Sequence, residues 1–374
     1  MKNNIYKKII DEFNNNKFYQ SRFNQMQVND FLDIPTIDPK DVMDLYYSRN
    51  QKDSTVFFTS GTTGDPKSIY YGKGDINYFT EYIKWFCEIE KIQGGEVVLI
   101  LMDQSFWGVG YITGLGHIKA GNTIVPIDND LPKEKLVDII ESVKPTVISS
   151  LPSVLIEVGD VINNYKFKVV ETTGEKLTED DRLTIEKIYG GEVFDAYGLT
   201  EAVIGVECEK HDGYHYNNDK LFLEIIDSDN NSLDEDSCGE LIITTINSDS
   251  SPIIRYRSGD RCKISSKKCS CGSQYPKIWI EGRIKPTLLL HEGYKIEVSE
   301  VKDLVNKVKD NIFVSSNVEK INESKYLLTI ILDDIISDDE KRLIKDEFVN
   351  YSYELMHMLR NSKLEIIFKS NERN

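Results

Sequence analysis

Charged and apolar positions alternate at helical spacing along the first fifty residues. Ile5, Ile9, Ile10 and Phe13 fall on one stripe, which predicts an amphipathic helix. Leu32, Ile34, Pro35 and Pro39 break that pattern. From about residue 97 the rhythm changes to short β-branched runs separated by amphipathic stretches. Strands are expected over 96–102, 123–127, 145–150 and 168–172. A helix is expected over 131–143, with Leu136, Ile140 and Val143 on one face. This alternation predicts an α/β layer with a mostly parallel sheet. From residue 214 the runs at 221–226 and 240–245, joined by an Asp/Asn-rich stretch, predict a small antiparallel β unit. Beyond Gly282 the pattern predicts a strand at 327–332, one long amphipathic helix at 338–359 and a last strand at 363–368. The expected organisation is a large α/β domain over 1–281, containing the β unit, and a small mobile α+β domain over 282–374.

Composition narrows the class. The 374 residues are ample for a large core without disulfide staples. With 62 acidic and 45 basic side chains the net charge is −17, which argues against nucleic-acid binding and against an anionic-membrane anchor. The longest apolar run, 97–102, is far too short to span a bilayer, and no secretory signal follows the N-terminal lysines. Six cysteines in a chain of this length fit a reducing cytoplasm.

The strongest local signal is an apolar strand entering a loop of hydroxyl and glycine residues: Thr59, Ser60, Gly61, Thr62, Thr63 and Gly64, then Asp65, Pro66 and Lys67. Glycines let backbone N–H groups converge on an anion, hydroxyls add donors, and Lys67 adds a mobile cation. A polyphosphate needs that combination. The spacing is not that of a Walker A loop, because the glycines are too close and Pro66 intervenes. Separately, Cys269 and Cys271 lie one residue apart before Gly272 and can reach one soft metal ion. Cys208 and His215 supply two more candidate ligands, with His211 in reserve. Cys87, Cys238 and Cys262 read as structural.

The loop resembles the phosphate loop of adenylate-forming enzymes, the superfamily of acyl-CoA synthetases, peptide-synthetase adenylation domains and luciferases. Further motifs follow in the same order. Gly174 and Glu175 end a strand where that superfamily has its adenine-binding turn. The run Asp195-Ala196-Tyr197-Gly198-Leu199-Thr200-Glu201 resembles its Tyr-Gly-x-Thr-Glu motif. The resemblance implies that Tyr197 stacks on adenine, Asp195 orients the base, Thr200 donates to the α-phosphate and Glu201 holds Mg²⁺. Tyr256-Arg257-Ser258-Gly259-Asp260 resembles the signature whose aspartate chelates the ribose hydroxyls. Gly282-Arg283-Ile284-Lys285 resembles the hinge, with Arg283 in reach of a phosphate.

The chain is most similar to the phenylacetate–CoA ligase and coenzyme F390 synthetase branch. The segment Ser105-Phe106-Trp107-Gly108-Val109-Gly110 resembles its substrate segment, and the Cys-x-Cys-Gly stands in the same place. Phe106, Trp107, Gly108 and Tyr111 would line an apolar slot with Gly198 as its floor. Cys208, His215, Cys269 and Cys271 would hold a structural zinc. Leu290-His291-Glu292-Gly293 resembles the strip brought to the thiol channel, without the usual arginine. The superfamily's C-terminal Gly-Lys loop has no counterpart after the last expected strand, and Lys369 sits too early to replace it.

These resemblances imply a two-step ligase using ATP and Mg²⁺. A small aromatic carboxylic acid would become an acyl-AMP, then a thioester with CoA. Two alternatives remain open: loading of a carrier protein's phosphopantetheine in a biosynthetic pathway, and nucleotide binding without turnover. A homodimer is also left open. The expected cations at the phosphates are Lys67, Arg283 and Arg257.

Overall fold

The computed structural model describes residues 2–48, 53–59, 67–104, 108–129, 131–162, 164–246, 252–290, 294–322 and 325–370. The N-terminal stripe forms α1 (Lys2–Asn15), which buries Ile9 and Phe13. Next come α2 (Lys17–Arg22) and α3 (Pro39–Ser48). An antiparallel pair, β1 (Thr55–Thr59) and β2 (Lys67–Tyr71), flanks the glycine-rich loop, with Thr59 opposite Lys67. The loop itself, Ser60 to Pro66, lies outside the described residues.

The β/α rhythm is laid out in chain order as α4 (Lys73–Ile89), β3 (Val97–Leu101), α5 (Val109–Lys119), β4 (Thr123–Ile127) and α6 (Lys133–Val143). It continues as β5 (Val147–Ser150), α7 (Pro152–Ile162), β6 (Val169–Thr173), α8 (Glu179–Tyr189) and β7 (Glu192–Leu199). Strands β4, β3, β5, β6 and β7 pair in parallel. Their continuous apolar runs suit a sheet covered on both faces. Val98, Leu99, Ile100, Val147, Ile148 and Val170 are wholly buried there.

At β7 the sheet turns antiparallel. The next strands are β8 (Ala202–Glu207), β9 (Tyr214–Tyr216), β10 (Leu221–Ile226), β11 (Cys238–Thr245), β12 (Tyr256–Ser265) and β13 (Lys277–Arg283). Among the described residues they extend the parallel strands into one sheet, in the order β10-β11-β12-β13-β9-β8-β7-β6-β5-β3-β4. The β unit that the pattern sets apart is therefore continuous with the main sheet. The tight β7–β8 connection at Thr200-Glu201 joins the two halves.

After β13 come β14 (Thr287–Leu289), β15 (Lys295–Glu297), α9 (Val298–Asn306), β16 (Phe313–Lys320) and β17 (Tyr326–Leu332). The chain then forms α10 (Asp338–Tyr351), α11 (Tyr353–Arg360) and β18 (Leu364–Ser370). One apolar core is drawn wholly from this segment, including Ile296, Val301, Leu328, Ile344, Phe348 and Ile366. Gly282 and Arg283, which the sequence puts beyond the expected division, still pair with Arg261 and Asp260 in the main sheet. The long helix expected over 338–359 is broken. Ser352 sits extended (φ −147°, ψ 156°), and its side chain accepts from the Leu355 N–H to start a new helix. Among the described residues no helix is long and apolar enough to cross a membrane.

Helices α4 and α5 meet closely because α5 is glycine-rich. A Cβ at Gly116 would lie 2.3 Å from the Ile83 Cβ. Glycine to alanine in a helix interior normally stabilises by about 1 kcal/mol. Here overpacking dominates: Gly116→Ala is expected to destabilise by about 1–3 kcal/mol, read as a lower urea midpoint.

Candidate active site

A cavity of about 410 Å³ opens at the C-terminal ends of β5 and β6. In parallel sheets the strand ends and the loops that follow them form the usual ligand crevice. One wall is the β6 edge, Thr172, Thr173 and Gly174. A second is the β7–β8 connection, Ala196 to Glu201. Tyr256 and Ser258 of β12, Arg283 of β13 and Lys295 of β15 close it.

The register of β12 against β13 places Asp260 opposite Arg283. Arg283 Nη1 donates to Asp260 Oδ1 at 2.8 Å and to the Ser258 carbonyl at 3.1 Å. The Tyr197 hydroxyl donates to Asp260 Oδ2 at 2.5 Å. Asp260 is 5% exposed and lies just behind the residues that line the cavity. Tyr197 itself faces the cavity. Its hydroxyl is thereby fixed, which orients the ring.

Glu201 lies on the cavity wall and hydrogen-bonds the Tyr256 hydroxyl. Desolvation by the surrounding protein raises its carboxyl above the ordinary range, against the pull of Lys295 and Arg283. Lys295 is an exposed residue of β15 that also lines this crowded cleft. Desolvation and then the charge of Arg283 lower its pKa, against the pull of Asp260 and Glu201. Arg283 and Lys295 thus face the same space as Glu201, and Glu90, Asp103, Glu171 and Glu297 line the cavity as well.

The sequence-derived residues fall in several places. Gly174, Ala196, Tyr197, Gly198, Thr200, Glu201, Arg283 and Gly108 line the cavity. Gly108 begins α5 with φ +71°, and a Cβ there would sit 2.6 Å from the Phe57 ring. Ser60, Gly61, Thr62, Thr63, Gly64, Phe106, Trp107, His291, Glu292 and Gly293 lie outside the described residues. For Thr59 and Lys67 the backbone pairing is described. Four residues sit elsewhere than expected. Tyr111 is 38% exposed and packs on Phe57, outside the cavity lining. Glu175 turns away to cap α7, accepting from the Ser153 N–H at 2.9 Å and hydroxyl at 2.8 Å. Asp195 is buried, and its two oxygens accept from Thr172 and Tyr214, each at 2.6 Å. It braces the β6–β7 edge from behind. Arg257 is also taken up, by Glu240 and Asn230.

The cysteine constellation comes together from three segments. Cys208 follows β8, His215 lies in β9, and Cys269 and Cys271 sit in the β12–β13 loop. Their ligand atoms all lie within 4.8 Å of one another. Cys208 and Cys269 sulfurs are 3.9 Å apart, and Cys271 sulfur is 3.3 Å from His215 Nε2. His215 Nδ1 lies 3.0 Å from the Tyr275 carbonyl, so Nδ1 carries the proton and Nε2 keeps its lone pair for a metal. Three thiols and one imidazole suit zinc in a closed tetrahedral site.

Sequence reasoning missed Lys295 and, among the cavity carboxylates, Glu90 and Glu171. Lys295 had no signal, since it is brought in by the fold. Glu171 had one: a lone charge inside an otherwise uncharged, largely buried strand, which is rare without a partner.

Comparison with known proteins agrees with this architecture. The sequence model of a family described as AMP-binding enzyme matches residues 17–247. The chain is 25% identical over 325 residues to phenylacetate-coenzyme A ligase of Thermus thermophilus, covering 82% of this chain and 72% of that protein. It is 28% identical over 269 residues to phenylacetate-coenzyme A ligase of Aromatoleum evansii, covering 69% of this chain and 60% of that protein. The crystal structure of 2-hydroxyisobutyryl-CoA ligase with 2-HIB-AMP and CoA superposes with a TM-score of 0.77 at 18% identity. That match covers 99% of this chain and 87% of the other, and it establishes the fold.

Burial pushes Asp195 up from 3.8 to about 7. The native state then keeps a proton that the unfolded chain sheds near pH 4. This group's contribution to stability is present at low pH and falls as pH rises to about 7. Asp195→Asn, neutral throughout, should remove a slope of up to about 1.4 kcal/mol per pH unit, measured by urea unfolding across pH 4–8.

Proposed function

Because the chain belongs to the AMP-binding enzyme family, we propose that it activates a small carboxylic acid with ATP and passes the acyl group to a thiol, coenzyme A. The observation that carries this reading is the convergence of Gly174, Tyr197, Thr200, Glu201, Arg283 and Lys295 around one cavity. In the first step a carboxylate oxygen bonds to the α-phosphorus, and the bond to pyrophosphate breaks. In the second, the thiolate sulfur bonds to the acyl carbon, the anhydride C–O bond breaks, and AMP leaves. The thiol proton goes to solvent.

The protein's part is positioning and charge neutralisation. The Gly174 turn and the Tyr197 ring hold adenine. A carboxylate oxygen can accept two hydrogen bonds, so Asp260 can receive ribose hydroxyls beside Tyr197 and Arg283. Thr200 donates to the α-phosphate. Arg283 and Lys295 offset the charge that builds when two anions meet, joined by Lys67 from the glycine-rich loop. Glu201 fits as a hard ligand for Mg²⁺, which when bound screens the phosphate oxygens. Apolar walls from Phe79, Ile83, Phe86 and Ile112 suit a flat aromatic frame. The segment after Arg283 pivots at 284–286 between the two steps, as a hinge.

The zinc site belongs to the same reading as a tether. Cys208, His215, Cys269 and Cys271 would join β8, β9 and the β12–β13 loop.

Carboxylate-dependent ATP–pyrophosphate exchange is the direct test. Exchange is expected with some member of a panel of small acids, and Arg283→Gln should lower it about a hundredfold with the fold retained by circular dichroism. ATP binding without exchange for any acid would sink the enzymatic reading. Thioester formation with CoA, and not with a holo carrier protein, is expected for the acceptor. Metal analysis should find one zinc per chain, lost in Cys269→Ser; protein purified with zinc in the medium yet free of it refutes the tether.

A further inference from the structure

The cavity also runs between the helices α4 and α5. Phe79, Ile83 and Phe86 line it from α4, at the spacing of one helix face. Val109, Ile112 and Thr113 line it from α5, again three and four residues apart. Thr113 is the one polar side chain of these two facing stripes, and the reaction described above does not use it.

A threonine inside a helix normally turns its hydroxyl back onto a carbonyl of the preceding turn. Two others do so here. Thr184 of α8 donates to the Asp180 carbonyl at 2.8 Å, and Thr80 of α4 donates to the Asn77 carbonyl at 3.1 Å. Thr113 differs. Its side chain is largely buried, yet its Oγ1 has no hydrogen-bond partner among the described residues. Nor is that oxygen one of the sealed polar atoms without a partner, such as Trp85 Nε1. Thr113 lines the cavity, so its hydroxyl opens there.

That opening is selective. A hydroxyl can donate one hydrogen bond and accept others. A carbon group packed against it excludes water and returns no hydrogen bond, which leaves a polar group unpaired. A full charge held there would lose its own hydration among hydrocarbon side chains. A neutral oxygen avoids both costs, since it exchanges a hydrogen bond with the hydroxyl whichever way the Thr113 proton turns.

We propose that Thr113 selects acids whose apolar frame carries a neutral oxygen, as a hydroxyl or a carbonyl, apart from the reacting carboxylate. The substrate class is then hydroxy- or oxo-substituted carboxylic acids, and Thr113 is the specificity-determining residue. That such an acid is activated rests on the ligase reading above; the preference in binding does not.

Matched pairs test it. The three ring isomers of hydroxyphenylacetate are set against the corresponding methylphenylacetates, and 4-oxopentanoate against 4-methylpentanoate. Binding by calorimetry and pyrophosphate exchange are measured for each. At least one oxygen-bearing acid is expected to bind about tenfold or more tightly than its methyl partner, and the arm in which it does so tells hydroxyl from carbonyl. Thr113→Val, which keeps the shape and removes the hydroxyl, should abolish that ratio and tighten binding of the methyl partner, a gain that misfolding cannot mimic. Thr113→Ser, which keeps the hydroxyl, should preserve the ratio. Equal binding within every pair, no binding of any oxygen-bearing member, or a wild-type ratio in Thr113→Val overturns the proposal, as does loss of the ratio in Thr113→Ser. Discrimination in binding without exchange sinks the ligase reading and keeps this one. Exchange without discrimination does the reverse.

Discussion

The ion pair between Arg283 and Asp260 stands where three parts of the structure meet. It closes the last register of β12 and β13, it anchors the Tyr197 hydroxyl through the shared carboxylate, and it leaves the guanidinium on the cavity wall. With Arg283 only about a quarter exposed, the pair is screened less than a surface bridge would be. Removing either partner would leave a poorly solvated charge, so the two act as one unit. The cavity-facing Tyr197 ring, the buried Asp260 carboxylate and the Arg283 guanidinium thus share one support.

Much of the fold could be read from the pattern of residues. The buried parallel strands announce themselves as β-branched runs, and the motif at 195–201 falls where β7 turns into β8. The differences from expectation have physical causes. Periodicity carries through Ser352 because the apolar spacing resumes after it, yet the serine starts a second helix with its own cap. Motif likeness put Glu175 and Asp195 at the nucleotide, but spare hydrogen-bond donors nearby claim both carboxylates. Lys295 and Glu90 are joined to the site only by tertiary packing, which no local window contains.

The charge of the chain is distributed to similar effect. A net charge of −17 keeps the surface acidic, while Arg283 and Lys295 converge on one cleft. Clefts with low-dielectric walls focus such local fields. The cluster of Cys208, His215, Cys269 and Cys271 lies on the antiparallel side of the sheet, away from the parallel strand ends that bear the cavity.

Lys295 belongs to a segment with its own apolar core, yet it lines the cavity of the main sheet. By linkage, any anion that gains from Lys295 must in turn favour the arrangement that brings Lys295 in. Occupancy and the posture of the C-terminal segment are then two readings of one equilibrium. Departure of the bound anion and withdrawal of the segment would be a single event, so the lifetime of the bound state would be set as much by the stiffness of residues 284–286 as by contacts within the cleft.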